Sequence, residues 1–258
     1  MYETLDGYAR TNRLGSISPG LKLFLGLASI LLCTSSPGPI APLLVAVSLS
    51  AAILILARIP PRVYACTLLI PVSFAMMSVI VILFITGGGP VLFEVPFLPL
   101  AITVGGANLA ILLLARVFGG TCALLFVALT TPMTEVFALL KKIGVPTVLI
   151  DLAMLIYRFI FIFIAEADQI YRSQVMRLGY GRFIESVNSL GMLVGALFLR
   201  TIDRGEALVL AMDARCYSGT FSTPGYSRSV SPRSFIATLI YLGTVFAVSL
   251  KTGSLQFI

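Results

Sequence analysis

The sequence predicts an all-α integral membrane protein with about five transmembrane helices and two further long helices held at the cytoplasmic side. Three observations predict it. Hydrophobic residues make up 58 % of the chain and charged residues only 11 %, where an ordinary globular domain carries about a quarter charged. Mean hydropathy is +1.03, and apolar runs span all 258 residues, so one membrane domain is expected. The basic residues are unevenly placed. Nine of the 18 Lys and Arg lie between Lys141 and Arg215, while the segments 34–42 and 86–99 contain none. That is the asymmetry of the positive-inside bias, so the net charge of +7 reads as topology and the partner surface as lipid, not nucleic acid.

The first 20 residues mix acids and bases and lack an apolar core followed by a small-residue cleavage site, so no removed signal peptide is expected. Runs near 21–33, 40–57, 65–85, 100–130 and 234–250 are the candidate spans. A span takes about 20 predominantly apolar residues, so the first is short and the fourth is long for an upright helix. Gly105–Gly106 and Gly119–Gly120 could break or tilt that fourth run. Pro19–Gly20 and Pro60–Pro61 are turn signals before the first and third runs. The expected subdivision is 1–130 for the N-terminal spans, 131–220 for the cytoplasmic-side helices, and 221–258 for a linker and the last span.

Two more apolar stretches, 145–165 and 187–199, complicate the count. With the N-terminus inside, a single crossing at 145–165 would put Arg172, Arg177 and Arg182 outside, against the charge rule. The fourth run could be two spans, 145–165 could lie obliquely at the cytoplasmic face, or the orientation could be locally anomalous. The second option accounts best for a helix over about 146–177 that is apolar first and charged last; at 1.5 Å per residue it reaches roughly 48 Å. A second helix over about 184–215 repeats the plan, ending in "RTIDRGEALVLAMDAR". Each ends on an arginine, Arg177 before "LGYG" and Arg215 before "CYSG", where the following glycine and serine are helix stops. An arginine there suits the negative end of the helix dipole, and its planar donor fork can hold a carboxylate through two bonds. Gly191 and Gly195 form a G-x-x-x-G pair that favours close helix crossing.

Arg116 stands alone inside the fourth run. An intramembrane charge costs about 2.5–3.5 kcal/mol on insertion scales, and the reading adopted is an arginine bonded to backbone carbonyls where Gly119–Gly120 loosens the helix. Glu166 and Asp168 point apart on a helix and do not make a catalytic pair; Arg158 with Asp151 and Arg200 with Asp203 are at helical pairing distance. The four cysteines, Cys33, Cys66, Cys122 and Cys216, show no metal spacing, and histidine is absent. No G-x-x-x-x-G-K-[ST] phosphate loop occurs. The chain is therefore not expected to be an ATPase, a metal-ligating protein or an enzyme of another kind, and no cofactor is expected.

Three segments carry a resemblance. "LDGYARTNRLGSISPGLKL" (5–23), "ALTTPMTEVFALLKKIGVP" (128–146) and "DRGEALVLAMDARCYSG" (203–219) resemble, in order, the motifs of the transmembrane T component of energy-coupling factor transporters, specifically the cobalt-type CbiQ family. The resemblance covers nearly the whole chain. It implies two coupling helices crossing in an X at the cytoplasmic side, their ends docking in grooves of a dimer of ABC-type ATPase subunits, with a membrane-embedded, metal-binding capture subunit above. On this chain the docking residues would be Met176, Arg177 and Leu178 at one end, and Ala214, Arg215 and Cys216 at the other. Arg215 fits the family's small-neighboured tripeptide; Arg177 keeps the arginine without the small neighbours.

The expected function is thus a non-catalytic coupling subunit of an ATP-driven importer in the cytoplasmic membrane, with cobalt as the expected cargo. The alternatives are the same role for nickel or a vitamin, and a self-sufficient secondary transporter, a class that often shows inverted repeats and interrupted helices; no convincing repeat is seen here, and the charge lies at one face.

Overall fold

Helix α4, Val104–Thr130, organises the membrane bundle. The computed structural model describes residues 7–9, 12–85, 91–94, 101–217, 219 and 231–252. Around α4 pack α1 (Pro19–Ser35), α2 (Ile40–Ala51, continued by a π-turn over Ala52–Leu56) and α3 (Pro61–Ile85). Helix α8, Pro232–Lys251, closes against α1 and α2. The remaining helices are α5 (Met133–Lys142), α6 (Thr147–Met176) and α7 (Phe183–Asp213). The chain divides into two compact units: residues 1–136 with 227–258, and residues 137–226.

In the first unit the core gathers Cys33, Val45, Leu49, Ile53, Ala123, Phe126, Leu129 and Val245. Small residues set its tightest seams, as lipid-phase packing requires. A Cβ on Gly26 would fall 2.1 Å from the Val127 side chain, and one on Gly119 would fall 2.6 Å from the Pro42 carbonyl. Hydroxyls join helices where water cannot: Ser48 bonds Tyr241 at 2.7 Å, and Tyr64 bonds both Ser50 and, at 3.3 Å, Cys122.

Helices α1 and α4 run antiparallel and exchange cations. Lys22, in the first turn of α1, donates to the carbonyl of Thr130 at the end of α4, 2.9 Å away. Arg116, midway along α4, donates at 2.7 Å to the carbonyl of Ser36, the C-cap of α1. Each helix's negative end thus receives a cation from its neighbour, the arrangement the macrodipole favours. Arg116 does bind a backbone carbonyl, but across helices. The glycine pair does not loosen α4, which continues unbroken through Gly119 and Gly120.

The fold class follows the expectation, and the chain is a multi-pass membrane protein. Among the described residues, five helices are long and apolar enough to cross a membrane, α3 (over Pro61–Leu83), α4, α6, α7 and α8. They are not the same five runs: α1 and α2 are shorter apolar helices, while α6 and α7 qualify on length and composition. Val91–Glu94, in the uncharged segment 86–99, pairs antiparallel with Ala101–Thr103, the start of the run expected to be the fourth span, as a short hairpin of strands β1 and β2. Much of the expected linker, 220–230, lies outside the described residues.

In the second unit α6 and α7 form an antiparallel hairpin. Gln174 Nε2 donates to the Ser189 carbonyl at 2.9 Å, and Ser189 Oγ donates to the Gly179 carbonyl at 2.7 Å. Further along, Arg204 of α7 pairs with Glu166 of α6. Beyond that pair an apolar groove of about 310 Å³ lies between Leu152–Phe163 on one side and Thr201–Leu208 on the other.

Candidate functional site

Arg177 and Arg215 occupy the same structural position at the ends of two helices. At the end of α6 the Leu178 N–H bonds the Val175 carbonyl at 3.0 Å and the Gly179 N–H bonds the Gln174 carbonyl at 2.9 Å. At the end of α7 the Cys216 N–H bonds the Asp213 carbonyl at 3.0 Å and the Tyr217 N–H bonds the Met212 carbonyl at 3.1 Å. Both are the paired five-to-two and six-to-one bonds of a Schellman cap. In both, the arginine is the last residue before the chain turns left-handed, and both arginines are exposed.

The left-handed residue is where the two ends depart from habit. Leu178 has φ 60° and Cys216 has φ 53°, a conformation that costs a side-chain-bearing residue about 1–2 kcal/mol. The same chain makes the same cap at the end of α5 with a glycine, Gly144, at φ 97°. The sequence reading assigned the stops to the glycine and serine beyond the arginines. The structure corrects this: Leu178 and Cys216 make the turns, and Gly179 contributes its N–H and its lack of a side chain. A Cβ on Gly179 would sit 2.7 Å from Ser189 Oγ and 3.1 Å from the Gln174 carbonyl.

Around these equal backbones the side chains differ. Met176 and Leu178 flank Arg177 and are 85 % and 81 % exposed. Ala214 and Cys216 flank Arg215, equally open but small. The structure does not bring the two arginines together. Arg177 lies at the turn that begins α7 and Arg215 at its far end, and 31 residues of helix amount to roughly 46 Å at 1.5 Å per residue.

The other candidates resolve as follows. Gly191 and Gly195 are exposed, and a Cβ on either would meet nothing within 4 Å. Among the described residues no close crossing is made at these glycines; the buried positions in that half of α7 are Ser189 and Leu193. Glu166 pairs with Arg204 and Asp168 with Arg172, the latter at 2.8 Å, so both acids serve ion pairs. Sequence reasoning passed over Gln174, Tyr180 and Ser189, which hold the turn behind Arg177. The Tyr180 hydroxyl donates to Gln174 Oε1 at 2.8 Å, and the Tyr171 and Tyr180 rings lie 4.9 Å apart. A glutamine five residues before a glycine gave no signal that its side chain would bind across the hairpin.

A family model described as "Cobalt transport protein", CbiQ, matches residues 11–225. A fused cobalt transport protein, CbiMQ, of Methanocorpusculum labreanum is 41 % identical over 95 % of this chain, which spans only 41 % of that longer protein. The cobalt transport protein CbiQ of Salmonella typhimurium is 30 % identical over 84 % of this chain and 98 % of its own length. The energy-coupling factor transporter transmembrane protein EcfT of Clostridium kluyveri is 30 % identical over 65 % of this chain and 66 % of its own.

Proposed function

Since the chain belongs to the CbiQ family of cobalt transport proteins, we propose that it is the transmembrane coupling subunit of an ATP-driven cobalt importer of the energy-coupling factor type. In this reading it hydrolyses nothing itself. Two ATPase subunits grip the tips at Arg177 and Arg215, and a separate membrane subunit captures the metal. The observation that carries the reading is the twinned cap. The cap is built with a residue other than glycine at the left-handed position at both ends of α7, and each copy presents an exposed arginine.

The physics suits a force-bearing joint. A Schellman cap satisfies the last carbonyls internally, so the guanidinium keeps its donors for a partner. Its fork can hold a carboxylate through two parallel bonds, which resists sliding as well as separation. As α7 is one continuous helix between the two tips, movement imposed at either tip is carried along a rod. Closing of the ATPase pair would then be felt in the hairpin and passed to the capture subunit.

The test is charge reversal in the reconstituted complex. Arg177→Glu with Arg215→Glu abolishes co-purification of the ATPase subunits and nucleotide-driven cobalt uptake. Each single reversal weakens retention of the ATPase by about 2–5 kcal/mol, the cost of breaking a buried charge pair. Full ATPase yield and unchanged uptake in the double variant would contradict the reading.

A further inference from the structure

Two of the sequence motifs meet in the membrane bundle: the N-terminal segment containing Asn12 and Lys22, and the Thr-Thr-Pro segment at Thr130, Thr131 and Pro132. We propose that Lys22 and Asn12 are positioning residues for energy coupling, holding the last carbonyls of α4 at the point where the chain leaves the bundle for its second unit. This rests on the coupling function proposed above.

Helix α4 ends without a glycine. Its closing turn takes one bond from its own Thr131 N–H to the Val127 carbonyl at 3.0 Å. The carbonyls of Leu129 and Thr130 are met instead from the N-terminal segment. Asn12 Nδ2 lies 3.3 Å from the first and 3.2 Å from the second, and is anchored at 2.7 Å to the Ala9 carbonyl. Lys22 Nζ adds its bond to the Thr130 carbonyl. Thr130 is fully buried and Lys22 is 2 % exposed.

Nothing local favours Lys22 where it stands. A cation in the first turn of α1 opposes that helix's own dipole, and a buried ammonium is costly unless well paired. The bond to the Thr130 carbonyl works against this cost, and it falls on one helix end. Phe137, where the second unit begins, follows Thr130 by seven residues. The ordinary solution is present in the same chain, since α5 ends on a cap made with Gly144. A glycine cap terminates a helix; a cation and an amide from another segment also fix where that end lies within the bundle. A rod that passes movement to and from a motor needs a fixed end.

The experiment uses the complete complex in proteoliposomes, reading ATP hydrolysis and cobalt uptake together. Lys22→Met and Asn12→Ala are expected to lower the cobalt moved per ATP hydrolysed by about tenfold, within the roughly 5–150-fold range of a coupling free energy between two sites, while hydrolysis stays near the wild-type rate. Lys22→Arg, which keeps the charge and donors, is expected to restore most of the ratio. If Lys22→Met fails to assemble, Asn12→Ala decides, because it leaves the buried cation in place. An unchanged ratio in Asn12→Ala, or uptake and hydrolysis falling in step, overturns the inference. A wild-type complex with no nucleotide-driven uptake would instead sink the coupling function itself.

Discussion

Leu178 and Cys216 hold a backbone conformation that glycine adopts freely, and each follows an exposed arginine. Backbone strain of this kind persists where something other than stability maintains it. Cys216→Gly is therefore expected to stabilise the protein by about 1 kcal/mol, read as a rise in the detergent-solubilised melting temperature. Leu178→Gly should also relieve strain, but it removes an apolar side chain from the tip, so ATPase affinity falls as stability rises. A drop in melting temperature for Cys216→Gly would show that the cap is not strained. Gly179→Ala should act in the opposite sense, because its Cβ would press on Ser189 Oγ and the Gln174 carbonyl; a loss of about 1–3 kcal/mol is expected, as for other overpacked sites. These details were illegible in the sequence for a plain reason. Leucine and cysteine do not advertise a left-handed turn, whereas Gly144 does.

At the scale of elements, the sequence located α6 and α7 well. Helices expected over about 146–177 and 184–215 are observed at Thr147–Met176 and Phe183–Asp213, because Pro146 and the charged, glycine-bearing ends punctuate them. The end of α4 was less legible: its capping partner Lys22 is 108 residues away, and spacing patterns carry no information over that distance. The strands β1 and β2 were missed since the glycine run before β1 and the two prolines between the strands read as loop. Close packing was expected at Gly191 and Gly195 but occurs at Gly26 and Gly119, where periodicity gave no reason to choose. Two predictions follow at this scale. Gly191→Ala and Gly195→Ala should leave thermal stability unlowered or raise it by up to about 1 kcal/mol each, the propensity gain of alanine in an exposed helix. Glu166→Arg should loosen the α6–α7 hairpin, seen as faster amide exchange near the groove, and adding Arg204→Glu should restore protection; no recovery in the double variant would mean that the ion pair does not hold the hairpin.

For the molecule as a whole, function was more legible than mechanics. Composition and charge placement gave the membrane, and three ordered motifs gave the family. The separation of the two arginines by the length of α7 follows from the helix expected over about 184–215; what stayed unseen was how the turn behind Arg177 is held, by Gln174 and Ser189 across the hairpin. That separation makes the central claim testable as a matter of geometry: two tips, two sites. The most direct measurement places a photo-crosslinking amino acid at position 177, at position 215, and at both, in the intact complex within membranes. The account predicts an ATPase adduct from each single position and a product carrying two ATPase subunits from the double. Adducts to lipid or to this chain alone, at either position, would contradict it.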